Sequence, residues 1–528
     1  MDLSAKEIRS SENEGIIRGT FILTLSALIL KVLGLIYKIP LSSILGDEGM
    51  GYFNSAYTVY TFVYLICTAG VPKAVTMLVA EAKARGNLAK KGIVRCALSA
   101  FFLIGFIITA VFMILSPQIS SLIGNKEAYS TMLVVAPSII FSSMSGVLRG
   151  YLTAEMKLGS VAISQLIEGG ARLAFGLIFA IRAQQLEYTP AMISAFTILG
   201  VTLGSAFSCI HLYVCKQISE KKDKSKQSID LTNRKDILKR LFSISVPITL
   251  SAAVMSISNL IDLVTIMRRL SALGYSAAEG VALYGNYTTL AVPMFNLIIA
   301  LITPISVAFF PVFSRCEAES DSLSSRNALS SSLILSAFVS APCVIGSILF
   351  SEQILSLIFP SSNIEVGAPL LCLLMPAALV MSLLLITNSM LEAKGSVKTP
   401  LLSMLIGGFI KFIVGGILMS NPDFGISAAP LGTVAGYSTS LLISIIVLYK
   451  KHKLSVPILS THIVPYLNAF ISVGIAKWLH YYKLLNSTNA TPTLISILTA
   501  ALIYITLSAL CGLMGKRKLQ ILAKYTKF

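Results

Sequence analysis

The sequence is poor in charge. Asp, Glu, Lys and Arg make up 12% of its 528 residues, where a soluble domain carries about 25%. With 55% hydrophobic residues, this excludes a water-soluble globule. It also excludes disorder, which requires low hydrophobicity. There is one tryptophan, and the four histidines, at 211, 452, 462 and 480, are too dispersed for a metal set. The eight cysteines form no CxxC pair and sit mostly in apolar runs, as small packing residues rather than a disulfide framework or zinc site. Nucleophile-elbow, phosphate-loop and dinucleotide glycine motifs are missing. An enzyme is therefore not expected, and neither is a cofactor. The start, MDLSAKEIRSSENEGIIRG, lacks the basic opening, short apolar stretch and cleavage site of a secretory signal. It reads as a cytoplasmic lead-in to the first span.

What is present is apolar sequence in long runs. Fourteen segments approach the roughly 20 residues that a transmembrane helix needs: 18–45, 50–80, 91–115, 128–149, 160–182, 190–215, 239–267, 280–310, 327–350, 366–391, 399–420, 425–449, 456–481 and 492–514. The expected fold class is an all-α polytopic membrane protein of about 14 transmembrane helices. With the N-terminus inside, 31 of the 42 Lys and Arg fall in inner segments. That asymmetry, and the formal net charge of +18, reflect topology with both termini cytoplasmic rather than a nucleic-acid partner. The polar stretch 216–238 divides six spans from eight. It reads as a basic cytoplasmic linker between an N-terminal lobe (1–215) and a C-terminal lobe (239–450). Two last spans and a basic tail follow (451–528).

The halves echo each other. GDEGMGYFNSAYTVY (46–60) resembles SAAEGVALYGNYTTL (276–290), and EMKLGSVAISQLIEGGARLAFG (155–176) resembles EAKGSVKTPLLSMLIGGFIKFIVG (392–415). At an offset of 239, Pro137 meets Pro376, Arg172 meets Lys411 and Gly176 meets Gly415. Six-span repeats in one orientation are a transporter architecture, and the last two spans fall outside the repeat.

A charge within a span costs at least about 2.5–3.5 kcal/mol and usually faces a bundle interior or wet cavity. Basic residues dominate here: Lys31, Lys38, Lys73, Arg172, Lys411 and Lys477 against Glu168 and Asp262. Lys31 and Lys38 are two turns apart and share a face. Lys73 follows Pro72, where a helix bends or restarts. A cavity of this sign suits an anion, above all phosphate or pyrophosphate, so Lys31, Lys38, Lys73 and the outer pair Arg268 and Arg269 are the candidate substrate ligands. Glu168 and Arg172, one turn apart, read as a structural pair. Asp262, with Asn259 a turn before it, suits either a coupling cation or a nearby lysine, and Lys411 is a further structural or coupling charge. Coupling would draw on a cation gradient or the membrane potential. No metal site is expected.

At these residues a family resemblance appears. Residues 46–87, GDEGMGYFNSAYTVYTFVYLICTAGVPKAVTMLVAEAKARGN, resemble the first block of the polysaccharide-export branch of the MOP transporter superfamily. SGVLRGYLTAEMKLGSVAISQLIEGGAR (145–172) resembles its second. DLVTIMRRLSALGYS (262–276) and LYGNYTTLAVPMFNLIIALITPISVAFFPVFSR (283–315) are similar to the stage V sporulation protein B and MurJ-type lipid II flippase group. The resemblance covers essentially the whole chain. It implies two pseudo-symmetric six-helix lobes in a V plus two C-terminal helices, in a bacterial plasma membrane. It implies a partner too, a lipid-linked oligosaccharide on polyprenyl pyrophosphate, with cell-wall synthesis machinery as a further one. The implied activity is inner-to-outer flipping of an undecaprenyl-pyrophosphate-linked saccharide such as lipid II by alternating access, in peptidoglycan biosynthesis or sporulation. Basic residues on spans one, two and eight would line the cavity, so Lys31, Lys38 and Lys73 match by position, whereas Arg268 and Arg269 precede span eight. Lys477 sits awkwardly in the lipid-tail groove implied for the last two spans. Three alternatives stay open: export of a teichuronic or capsular repeat, a multidrug/cation antiporter of the same superfamily, and a non-transport scaffold.

Overall fold

Lipid offers no partner to a free backbone N–H or C=O, so a chain this apolar must close its hydrogen bonds within itself, as helices do. The computed structural model describes residues 2–84, 90–222, 234–319, 321–483 and 490–511, and among these the regular structure is helical. The middle of the linker, 223–233, and most of the tail, 512–528, lie outside the described residues. The helices are α1 (Asp2–Thr68), α2 (Val71–Ala84), α3 (Lys90–Leu122), α4 (Ala128–Val135), α5 (Ser138–Ala154), α6 (Leu158–Gln185), α7 (Pro190–Lys222) and α8 (Arg234–Ala272). After them come α9 (Ala277–Asn286), α10 (Val292–Ala318), α11 (Ser322–Leu349), α12 (Ser351–Ile358), α13 (Ile364–Ala393), α14 (Lys398–Leu418), α15 (Ala428–His452), α16 (Ile458–Lys483) and α17 (Ala490–Leu510).

Each of the fourteen apolar segments overlaps these helices, and 512–514, at the end of the last one, lie outside the described residues. Eleven described stretches are long and apolar enough to cross a membrane. The first, Ile29–Lys83, has 55 residues, length for two crossings, and is bent at Gly46, whose φ of +64° suits glycine. Helices α6 and α8 are not among the eleven. Prolines accompany two of the breaks, of which the sequence predicts the one at Pro72. Pro137 separates α4 from α5 within one stretch, and α2 begins at Val71 and Pro72 after a break at Ala69 and Gly70. Between α9 and α10 the chain makes a π-helical turn at Tyr287–Ala291.

Contacts divide the chain into two compact units, Met1–Val264 and Thr265–Phe528. The division falls within α8, not in the 216–238 linker. The reason is packing: Leu241 at the start of α8 is buried with Val75, Val94, Leu148 and Leu212 of α2, α3, α5 and α7. Gly70 N also donates to Thr249 Oγ1 at 3.1 Å. Residues 239–264 thus belong by contact to the first unit.

In the second unit α16 and α17 pack against α11. Tyr504 donates to the Phe338 carbonyl at 2.9 Å, the Tyr466 and Ser340 hydroxyls are 3.1 Å apart, and Ala341 and Ala469 are fully buried between these helices. Apolar faces on α3 (Phe102, Leu103, Phe106, Ile107) and α14 (Phe409, Ile417) stay exposed, the outward polarity of a bilayer protein. Where hydrophobic burial drives little, small residues bring helices together. This happens at the α6–α7 and α14–α15 seams.

Candidate functional site

The centre of the first unit holds a charged node built by α1, α5, α6 and α7. Helix α6 supplies Glu168 and Arg172 one turn apart, with Arg172 midway along its 28 residues. Arg149 of α5 reaches the same carboxylate. Its Nη2 donates to Glu168 Oε2 at 2.7 Å and to Ser208 Oγ of α7 at 3.1 Å, and its Nε donates to Ser164 Oγ at 3.4 Å. Arg172 Nη2 lies farther from the carboxylate, 3.7 Å from Oε1. Its Nη1 donates to the Tyr57 hydroxyl at 3.0 Å, and the guanidinium carbon sits 5.7 Å from the Tyr57 ring centroid.

Among the described residues two guanidinium groups therefore share one carboxylate, leaving one positive charge in excess. Arg149 and Glu168 satisfy each other through a short charge-assisted bond. Arg172 is the surplus cation. Among the described residues its Nε and the Tyr37 hydroxyl are buried without a hydrogen-bond partner, yet its side chain is 28% exposed. A ladder of rings on α1 holds Tyr57 in place: Phe53 and Tyr57 stack at 6.0 Å, Tyr57 and Tyr60 lie 5.9 Å apart, and Tyr60 and Tyr64 5.8 Å.

Close backbone approach fixes the node. A Cβ placed on Gly200 of α7 would lie 2.6 Å from Gly176 N and 2.7 Å from the Arg172 carbonyl oxygen, and one on Gly204 would lie 2.6 Å from the Glu168 carbonyl oxygen. The second unit repeats this seam. A Cβ on Gly432 of α15 would meet the Lys411 carbonyl oxygen and Gly415 Cα at 3.0 Å, and one on Gly436 would meet the Gly407 carbonyl oxygen at 2.6 Å. The repeat read from the sequence is thus present contact for contact, with Arg172 and Lys411 in equivalent places. The polar residues around them differ. The offset of 239 that pairs Ser164 with Ser403 puts Asn388 for Arg149 and Gly407 for Glu168. Ser440 donates to the Ser403 carbonyl at 2.9 Å and Ser444 to Asn388 Oδ1 at 3.0 Å. A Cβ on Gly407 would meet Ser440 Oγ at 2.0 Å, so no carboxylate fits there.

The other sequence candidates are spread out. Leu30 and Tyr37 of α1 meet α6 at Gly169 and Gly176, so Lys31 and Lys38, one residue on, flank that seam. Lys31 is exposed and Lys38 half-buried. Lys73 is exposed at the start of α2. Among the described residues, Lys31 and Lys73 make no ion pair. Arg268 and Arg269 are exposed at the end of α8, and Arg269 Nη2 lies 4.0 Å from where a Cβ on Gly416 would sit. Asp262 is half-buried and Asn259 exposed. Among the described residues Lys477 meets no carboxylate within ion-pair distance. Its Nζ donates to Gln353 Oε1 at 3.1 Å and lies 5.0 Å over the Phe350 ring. Among the described residues no three His, Cys, Asp or Glu side chains gather as for a metal.

Glu168 and Arg172 do pair, but the sequence reading missed the nearer partner. Arg149 is the last residue of the apolar segment 128–149, and nothing in that position marks it as part of the node. The structure puts Arg149 inside α5 with its side chain 15% exposed. The available signal was a lone arginine between Leu148 and Gly150, followed by little more than one further turn of helix to Ala154.

A model of the polysaccharide biosynthesis protein family matches residues 16–317. The chain is 23% identical over 423 residues to stage V sporulation protein B of Bacillus subtilis (strain 168), covering 80% of this chain and 81% of that one. It is 23% identical over 457 residues to the lipid II flippase MurJ of the same organism, with 83% of each covered. A solved lipid II flippase MurJ, in an inward closed conformation, shares the fold with a TM-score of 0.68 at 18% identity, over 93% of this chain and 99% of that one. These likenesses and the apolar helices make the chain a multi-pass membrane protein.

Proposed function

The chain belongs to the polysaccharide biosynthesis protein family, and we propose that it is a flippase. Its substrate on this reading is an undecaprenyl-pyrophosphate-linked saccharide, specifically lipid II, moved from the inner to the outer leaflet by alternating access. The name of the second Bacillus subtilis relative, a lipid II flippase, supports the substrate class. The observation that carries the reading is the sign of the buried charge. A sugar diphosphate cannot enter hydrocarbon unaided, because stripping its water costs far too much. Guanidinium and ammonium groups in a closed interior replace that water, while the polyprenyl tail stays in lipid. The first unit offers such groups on Arg149 and Arg172, with the exposed Lys31 and the half-buried Lys38 beside the α1–α6 seam. No bond is made or broken, so no enzymatic step enters this scheme.

The cation-antiporter reading needs a carboxylate free to take a proton or metal ion. Glu168 already meets two guanidinium groups, at 2.7 and 3.7 Å, which disfavours that role. With both termini cytoplasmic, as the loop charges imply, an anionic head group would travel outward down an inside-negative potential. Each negative charge moved gains about 2.3 kcal/mol per 100 mV. The test is depletion of the protein in its host, without a redundant flippase, followed by a leaflet-resolved assay of lipid II. Inner-leaflet accumulation is expected. Unchanged access of lipid II to an external probe rejects the substrate, and accumulation of another lipid-linked repeat instead assigns the teichuronic or capsular alternative.

A further inference from the structure

We infer that the Arg149–Glu168–Arg172 node is an anion-binding site inside the first unit, in which Arg172 docks the phosphate groups of the lipid-linked head group and Glu168 is the internal anion that the head group displaces. This deepens the flippase reading and rests on it. Three observations meet here. First, the charge does not balance: Arg149 alone neutralises Glu168 at 2.7 Å, and Arg172 is left with a 3.7 Å contact and a neutral phenol. Second, Arg172 keeps unused capacity. Among the described residues its buried Nε–H has no acceptor, and the Tyr37 hydroxyl is equally unpartnered. Tyr37 lies against Gly176, one turn along α6 from Arg172.

Third, the repeat supplies an internal control. The second unit closes the same glycine seam with Asn388, Gly407 and neutral serines where the first has Arg149 and Glu168. The scaffold therefore does not need the salt bridge in order to pack. An arginine and a carboxylate taken out of water at a cost, where the same seam closes in the second unit with asparagine and glycine at their positions, point to a ligand. The chemistry selects an oxyanion. A guanidinium with a free Nε and a nearby phenol donates several bonds in one plane, which matches phosphate and not a metal cation. Glu168, held against Arg172 more loosely than against Arg149, is a weak internal competitor that keeps the empty site from carrying two unbalanced cations.

The experiment uses the purified full chain in nanodiscs of neutral lipid, with undecaprenyl diphosphate, undecaprenol and sodium chloride as probes. Wild type is expected to bind the diphosphate far more tightly than the alcohol. Arg172→Gln should weaken diphosphate binding at least tenfold, and Arg172→Lys by less, since charge remains but the planar fork is lost. Glu168→Gln should tighten binding severalfold by removing the competitor, a gain that a purely structural ion pair does not produce. Folding is checked by circular dichroism and melting without ligand; if Arg172→Gln does not fold, the charge-preserving Arg172→Lys and Glu168→Gln carry the test. Unchanged affinity in the Arg172 variants, or no gain in Glu168→Gln, overturns the site while leaving the flippase reading intact. Loss of diphosphate binding in wild type overturns the flippase reading itself. Displacement of the diphosphate by millimolar chloride, with the same dependence on Arg172, reassigns the site to a free anion and also overturns the inference.

Discussion

Replacing Gly200 by alanine puts a methyl group where two helices touch backbone to backbone. The new carbon would lie 2.6 Å from Gly176 N and 2.7 Å from the Arg172 carbonyl oxygen, roughly 0.6 Å or more inside the usual C···O contact. Both atoms belong to the backbone, so no rotamer change relieves the overlap, and α6 and α7 must part. Overpacking of this kind costs about 1–3 kcal/mol, and the rigidity of the neighbours puts the expectation in the upper half of that range. At tenfold per 1.4 kcal/mol, the unfolding equilibrium shifts by about 25- to 150-fold. Gly170, on the same α6, has nothing within 4 Å of its would-be Cβ. Gly170→Ala should be neutral or stabilise by about 0.5–1 kcal/mol, because alanine gives up less freedom in a helix. Gly432→Ala in the second unit, with its nearest atoms at 3.0 Å, should fall between the two. The assay is reversible unfolding in mixed micelles by dodecyl sulfate titration, followed by far-UV circular dichroism. Equal stability of the Gly200 and Gly170 variants would refute the seam as the element that holds Arg172.

Three further outcomes are expected. Lys90 is 3% exposed and bonded to Glu155 at 3.2 Å, while Lys83, 3.9 Å from the same carboxylate, is 45% exposed; Lys90→Met should cost near the lower end of about 3–5 kcal/mol and Lys83→Ala no more than about 1 kcal/mol, in the same unfolding assay. Lys126 and Lys453 are both exposed, and the inferred orientation puts them on opposite faces of the membrane, so a cysteine at 126 should react with an impermeant maleimide in intact cells and one at 453 only after permeabilisation; the reverse pattern inverts the topology. Single alanine variants at Lys31, Lys38 and Lys73 should lower transport at equal expression, and normal transport in all three would discard lysine as part of the head-group path.

The helices were legible because lipid leaves one local solution for long apolar runs, and the break at Pro72 because proline interrupts it. The unit boundary was not. The basic linker at 216–238 looks like a divider in sequence, but Leu241 and Thr249 beyond it pack with the first unit, and only tertiary contact reveals that. The Glu168–Arg172 pair follows from spacing on one helix. Arg149 joins it from 19 residues away across a turn, and Ser208 from a third helix, so neither is visible to periodicity. Lys477 stood out as a charge in an apolar helix, yet its partner Gln353 is 124 residues distant, and no local rule connects the two.

The seam also constrains how the node can respond. At Gly200 and Gly204, α7 rests directly on the α6 backbone beside Arg172 and Glu168, and no layer of side chains lies between them to be reshuffled. Packed backbones have few intermediate arrangements, so an arriving anion cannot be met by sliding α6 past α7. It has to be met by rotation of the Arg172 side chain away from Glu168 Oε1, the longer of the two contacts, while the 2.7 Å bond to Arg149 keeps the carboxylate in place. The rotating group is the partly exposed one and the anchoring group the more buried one, 28% against 15%, as an exchange of one anion for another requires. In the second unit the same seam holds Lys411, with glycine at the position equivalent to Glu168 and asparagine at that of Arg149. The repeat keeps the close backbone approach in both halves, while the Arg149–Glu168 pair belongs to the first.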